Sequence, residues 1–262
     1  MQRRAFLAQS SLLAMILAPG VGKAAGAGNG IVDVNSLPAL AGLGAEAVAV
    51  VRPGQYHSTS PITISAENVT IIAFGAIFDT TIEIRSKGIR LYGATVRGAP
   101  GDGFRFWRGQ GSHFEALVSE KNGGNGFVLG GEDGAQIGWS SFLGCRALGN
   151  AQHGWLLNAS GPKSWINANT FDACWSRANG GSGWHSEGRA NYNSWFGHHA
   201  ESNGQAGGDV AAMDLGGAQN FLYGGHVVGT AKDGVALRCA DGRGSVVFGG
   251  RYVGDVSGAR IA

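Results

Sequence analysis

Two acidic side chains, Glu115 and Asp172, are the candidates for paired acid–base work. Inverting cleavage of a glycosidic bond uses a carboxylic acid and a carboxylate roughly 6.5–9.5 Å apart, one protonating the leaving oxygen and the other activating water. A second set comprises Arg146, Trp175, His199, Glu201, Tyr223 and His226. Its cations can take acidic groups, its carboxylate can accept hydrogen bonds, and its rings can pack on apolar faces. A third set, Cys145, Cys174 and His198, has the donor types of a zinc site. All three sets are scattered along the chain, so only a fold that brings the chain repeatedly back over itself can assemble them.

The sequence contains such a fold. Six segments align without gaps: Leu91 to Gly103, Phe114 to Gly126, Phe142 to Gly154, Phe171 to Gly183, Trp195 to Gly207 and Leu222 to Gly234. Each opens on a large apolar residue, carries Gly or Ala two positions on, and reaches glycine at the twelfth position. A seventh, from Val247, has its glycine one place early, at Gly258. The spacing, from 23 residues (91 to 114) to 29 (142 to 171), lies in the solenoid range. Apolar residues alternate at strand spacing, which places 142, 145, 147, 155 and 157 inward. The polar residue eight positions after each start from Phe114 on is Asn122, Asn150, Asn179 and Asn203, then Thr230 and Asp255. Asparagine tolerates the left-handed backbone of sharp corners, and a stack of turns piles these residues into an amide ladder.

The implied fold class is all-β: a parallel β-helix with three strands per turn, spaced ~4.8 Å. Here a resemblance enters. Asn169-Thr170-Phe171-Asp172-Ala173-Cys174 and Asn193-Ser194-Trp195-Phe196-Gly197-His198 resemble repeats of right-handed parallel β-helix proteins of the pectate-lyase-like superfamily, closest to tailspike-type and secreted polysaccharide-acting members. Val50-Val51-Arg52-Pro53-Gly54-Gln55-Tyr56 is similar to the V-x-x-P-G-x-Y entry of that superfamily, and Leu37 to Leu43 reads as a short capping helix. The resemblance spans roughly residues 31 to 262. It implies a right-handed coil and action on a polysaccharide or cell-surface glycan, with a homotrimer as in tailspike-like relatives. No paired-aspartate motif, clustered calcium aspartates or other catalytic signature of the superfamily is present, so no family residue carries over, and a scaffold of this kind hosts both enzymes and inert proteins. A hydrolase or lyase and a non-catalytic glycan-binding or surface scaffold both remain open.

In such a coil the columns carry the chemistry. Cys145, Cys174 and His198 fall in one inward column spanning about 9.6 Å, too long for ligands of one zinc, which lie within ~4.6 Å of each other. A buried thiol ladder is expected, with no metal and no cofactor. Thr95, Val118, Arg146, Trp175, His199, His226 and Arg251 form an outward column, flanked by Arg97, Glu120, Leu148, Arg177 and Glu201. This is a contact strip whose indole lies on a sugar face, or a solvated flank with Arg146 resting on Trp175. Tyr92, Glu115, Leu143, Asp172, Phe196, Tyr223 and Phe248 form a second outward column, with Trp139, Tyr192 and Phe221 adding ring surface. A ring stripe of this length marks a glycan contact or a subunit interface. Glu115 and Asp172, two turns apart, lie ~9.6 Å apart at the backbone.

Composition limits the alternatives. The chain has 262 residues, 47 of them glycine, a formal charge of +2 and 15% charged residues. Hydrophobic content of 44% excludes a disordered chain. The near-neutral balance speaks against nucleic acid. Arg3-Arg4, the apolar run Leu12 to Leu17 and the small residues Ala24 to Ala27 read as a secretory signal peptide over 1–27. Its R-R-x-F-L order resembles a twin-arginine signal, which implies a periplasmic or secreted protein. No other stretch reaches 18 apolar residues, so no membrane span is expected in the mature chain. The expected layout is a signal peptide over 1–27, a linker and cap over 28–45 and a β-helix over 46–262, whose open C-terminal end would invite association.

Overall fold

A computed structural model describes residues 31–230, 234–240 and 243–262. The predicted signal peptide lies outside them. The chain is a right-handed parallel β-helix with three strands per turn. Sheet I holds eleven strands, from Ile31–Val34 to Arg260–Ile261, and sheet II holds nine, from Gly54–Tyr56 to Arg251–Val253. Sheet III holds eleven, from Ile62–Ile64 to Asp255–Ser257. Two of these, Gln136–Gly138 and Trp165–Asn167, branch from the end of the strand Phe104–Arg108, so some turns carry a fourth short strand. The helix Leu37–Ala41, with proline in its first turn, packs its buried Leu40 over the N-terminal end of the coil.

The repeat works because its small residues take corners that larger ones resist. The Gly or Ala two places after each start turns the chain from sheet I to sheet II with positive φ: Ala116 +54°, Gly144 +61°, Ala173 +48° and Gly197 +53°. The twelfth-position glycines answer a different demand, close approach. A Cβ on Gly183 would stand 2.6 Å from Asn203 Nδ2 and 2.8 Å from the Ala212 carbonyl. Gly207 departs from this pattern. It lies in a turn at φ +78°, and Ala212, five residues later, supplies the matching carbonyl before the strand Met213–Leu215.

Two amide ladders fasten the corners. Asn122, Asn150, Asn179 and Asn203 stand in file. The Asn122, Asn150 and Asn179 Nδ2 groups each donate to the next asparagine's Oδ1 at 2.9 Å. Their backbone N–H groups donate to the same oxygens at 2.9–3.2 Å. Thr230, at the next predicted place, is buried, but Asp255 is not part of the file. The shortened last unit puts Asp255 on an exposed strand of sheet III, opposite Val235. A second ladder, absent from the sequence reading, precedes sheet I: Ser112, Ser140, Asn169, Asn193, Asn220 and Ser245 accept from the backbone of the preceding turn.

Inside, two ring columns meet. Sheet I stacks Phe114, Phe142, Phe171 and Trp195 at centroid spacings of 4.9, 5.0 and 5.2 Å. Sheet III stacks Phe104, Phe127, Trp155 and Trp184 at 5.2, 4.0 and 4.5 Å. Across the core they touch edge to face, as Phe142 does with Trp155 at 88°. Offset and edge contacts suit the ring quadrupole, so the coil is a packed rod and its outer side chains sit on a rigid lattice.

Candidate functional site

The corner between sheets I and II carries every site residue expected from the sequence. Register pairing puts Tyr92, Glu115, Leu143, Asp172, Phe196, Tyr223 and Phe248 in one column on the sheet I flank. Three residues on, past the left-handed corner, Arg146, Trp175, His199 and His226 form the column on the sheet II flank. Glu201 stands two residues beyond His199 on the same strand. The rows therefore read Leu143 with Arg146, Asp172 with Trp175, Phe196 with His199 and Tyr223 with His226.

The sheet II column is a continuous stack. The Arg146 guanidinium lies 5.8 Å from the Trp175 ring centroid, and His199 stacks on that ring at 4.6 Å and 15°. His226 meets His199 edge-on at 5.0 Å. Glu201 Oε2 lies 3.1 Å from His199 Nε2 and 4.0 Å from Arg177 Nε. The hydrogen bond from His199 holds the Glu201 carboxyl below its ordinary range, with Arg177 adding to the effect. This is the arrangement in which Arg146 rests on Trp175. Both indole faces are covered by neighbours, and the 41% exposure of the residue is that of its rim. Stacking at strand spacing turns ring faces along the axis and ring edges toward solvent. Phe196, Tyr223 and Phe248 do the same, at 4.7 and 4.8 Å and 4°.

Glu115 and Asp172 stand two turns apart, with Leu143 between them. Asp172 is exposed, while Glu115 is half-buried and engaged. Its Oε2 lies 3.2 Å from His113 Nε2, and His113 Nδ1 lies 2.7 Å from Ser141 Oγ. Both carboxyls sit on an open flank: the hollows at the helix cap, at His57 and beside Arg85 include neither.

The inward column is a thiol ladder. Cys145 and Cys174 are buried free thiols, and Cys174 donates to the Phe142 carbonyl at 3.3 Å. His198 follows in the next turn, with Nε2 3.2 Å from the Tyr252 hydroxyl. Burial holds the His198 imidazole down to about 4. Among the described residues no group of three His, Cys, Asp or Glu side chains is arranged to hold a metal.

Trp139 and Tyr192 belong elsewhere than the ring stripe. They occupy left-handed positions, φ +52° and +57°, at the opposite corner, where sheet III passes to sheet I. Trp139 meets Trp165 edge to face at 5.6 Å and is 67% exposed. The same side of the coil carries a hollow of about 400 Å³ edged by Arg85, Lys87 and Arg108, and an adjoining one of about 270 Å³ that includes Trp107. The sequence reading missed this region. Two adjacent arginines ending in-register strands were the available signal.

No protein-family model matches the chain, and no curated protein sequence matches it. Solved structures share its coil. The A-module of the mannuronan C-5 epimerase AlgE6 of Azotobacter vinelandii aligns at TM-score 0.48 and 16% identity over 83% of this chain. The chain spans 63% of that module's length. The pectate lyase Pel9A aligns at TM-score 0.44 and 16% identity, over 85% of this chain and 72% of the other. The pectate lyase Bsp165PelA of Bacillus sp. N165, solved with trigalacturonate, aligns at 0.43 and 9% identity, over 92% and 84%. Likeness at these identities is a likeness of backbone.

Proposed function

We propose that this is an exported, carbohydrate-active β-helix protein that takes a polysaccharide lengthwise along the corner between sheets I and II. The observation that carries the reading is the unbroken rail of Arg146, Trp175, His199 and His226, fixed by ladder register and presenting charged and ring edges at one repeat per turn. A rigid linear array with this spacing suits a long, hydroxyl-rich chain better than a compact ligand, because the ordering cost is already met by the fold. With ring faces covered, the contacts to sugar are those of Arg146, His199, Glu201 and His226, with the rims of Trp175 and Tyr223 beside them. Cleavage, by hydrolysis or elimination, falls to Glu115 and Asp172 on the adjoining flank.

A second reading, glycan binding without turnover, including as a homotrimer packed on the Phe196–Tyr223–Phe248 stack, is favoured by one observation. The two carboxyls stand on an open flank, where water is not excluded. A polysaccharide panel followed by reducing-end release and by ultraviolet absorbance of unsaturated product ends separates the two. Turnover lost in Glu115→Gln and Asp172→Asn supports the enzyme. Turnover untouched by both removes that assignment. Binding without turnover that is lost in Arg146→Gln supports the second reading.

A further inference from the structure

The strand ends Arg85, Arg108 and Gln136 are register neighbours on three adjacent strands at the sheet III edge. Two guanidiniums side by side repel, and the protein neutralises only one of them. Arg85 pairs with Glu83 at 3.2 Å and with Glu132 at 3.3 Å. Lys87, also in the hollow, pairs with Glu67 at 3.5 Å. Arg108 has no carboxylate and no hydrogen-bond partner among the described residues. The amides of Gln110 and Gln136, which edge the same hollow, also lack side-chain partners. The hollow therefore has one cation, Arg108, that no carboxylate pairs, two unused amides and about 400 Å³, a size in the range of small-molecule sites.

Trp139 extends this site. It leaves the short strand Gln136–Gly138 in a left-handed conformation that bulky residues rarely adopt. That backbone holds the indole outward, with one edge contact to Trp165. Trp139 is 67% exposed, against 41% for Trp175 and 38% for Phe196. Three residues from Gln136, it lies within about 10 Å of the hollow's rim.

We propose that this hollow binds an anionic sugar residue, its oxyanion taken by Arg108 with Lys87 and the Gln110 and Gln136 amides, and that the next residue of the glycan rests on Trp139. The chemistry is charge-assisted bonding of a guanidinium to a carboxylate or ester oxyanion, beside a ring platform. The site lies on the opposite corner from the rail of Arg146 and Trp175, and its occupancy is independent of any turnover there.

Titration calorimetry with D-glucuronate, inorganic sulfate, inorganic phosphate and D-glucose tests the proposal on the folded chain. D-glucuronate should bind and D-glucose should not. Arg108→Gln should weaken D-glucuronate at least tenfold, Arg108→Lys less, and Arg260→Gln, on the exposed last strand, not at all. Trp139→Ala should weaken a glucuronate-containing disaccharide while leaving the monosaccharide unchanged. Because Arg108 and Trp139 are exposed, circular dichroism of both variants should match the parent. Equal binding by Arg108→Gln and the parent overturns the site, and so does the absence of D-glucuronate binding. Sulfate or phosphate binding as tightly as D-glucuronate overturns the sugar part, and Trp139→Ala without effect on the disaccharide overturns the platform.

Discussion

Replacing Asn150 by alanine removes the middle rung of the first ladder. The residue is 1% exposed and takes part in six hydrogen bonds. Four belong to its side chain: it accepts from the Asn122 N–H and Nδ2 at 3.1 and 2.9 Å, and donates to the Ser119 carbonyl at 3.1 Å and to Asn179 Oδ1 at 2.9 Å. Alanine strands the Asn122 N–H in the interior, costing about 1–3 kcal/mol, and forfeits net bonds worth roughly 0.5–1.5 kcal/mol each. Asn122 Nδ2 keeps Ser119 Oγ at 2.9 Å, and Asn179 Oδ1 keeps the residue-150 N–H, so the loss is partial. The sum is about 3 kcal/mol, or a melting shift of about 6–12 °C for a domain of this size. Calorimetric melting reads the shift, and hydrogen exchange should show the turns around 122, 150 and 179 opening first, since each repeat leans on its neighbours. Asn158→Ala is the comparator, removing only the bond from the Ser160 N–H at 3.1 Å in a surface turn. Equal melting points for the two variants would falsify the ladder's structural role.

Acid should loosen the coil through two imidazoles. Burial holds His153 and His198 near 4, the stacked His185 reinforcing the effect at His153. Between about pH 6.5 and 4 the unfolded chain binds protons that the folded chain refuses, so stability falls as pH falls, by about 3 kcal/mol for each group; urea melts at pH 7 and 4.5 should show the drop, shrunken in His153→Gln. The three cysteines should stay inert to a thiol reagent in the native state and all react in denaturant, because burial raises Cys174 strongly and Cys239 to about 12; rapid native labelling would place a thiol at the surface. Phe171→Ala should cost about 3–5 kcal/mol, since that ring touches Phe142, Trp155, Trp184 and Trp195, and an unshifted midpoint would contradict its central packing.

Sheets I and II were legible in the sequence because their strands keep a constant offset from each starting hydrophobe. Phe142, Cys145 and Ala147 repeat as Phe171, Cys174 and Ser176, all buried. Their outward neighbours follow by alternation, which is why both flank columns are placed by counting. Sheet III resists counting, since loops of varying length precede it. In one turn the strand starts six residues beyond Gly207, and in the last Asp255 moves from ladder to strand. The second ladder was hidden because Asn169, Asn193 and Asn220 adjoin the sheet I strands and pass for strand alternation. Trp139 was assigned to the wrong corner because nothing in a residue's type announces a φ of +52°. Even where columns were placed correctly, the direction in which a ring faces came only from the stacking distances.

The central claim is that the corner between sheets I and II is where a polysaccharide lies. Carboxyl and histidine footprinting of the chain, with and without a polysaccharide shown to bind, tests it most directly. Protection of Asp172, His199, Glu201 and His226 together, with Asp79 and Glu187 unchanged, is the expected result. Protection confined to Glu67 and Glu132 at the opposite corner, with the four rail residues still reactive, would contradict it.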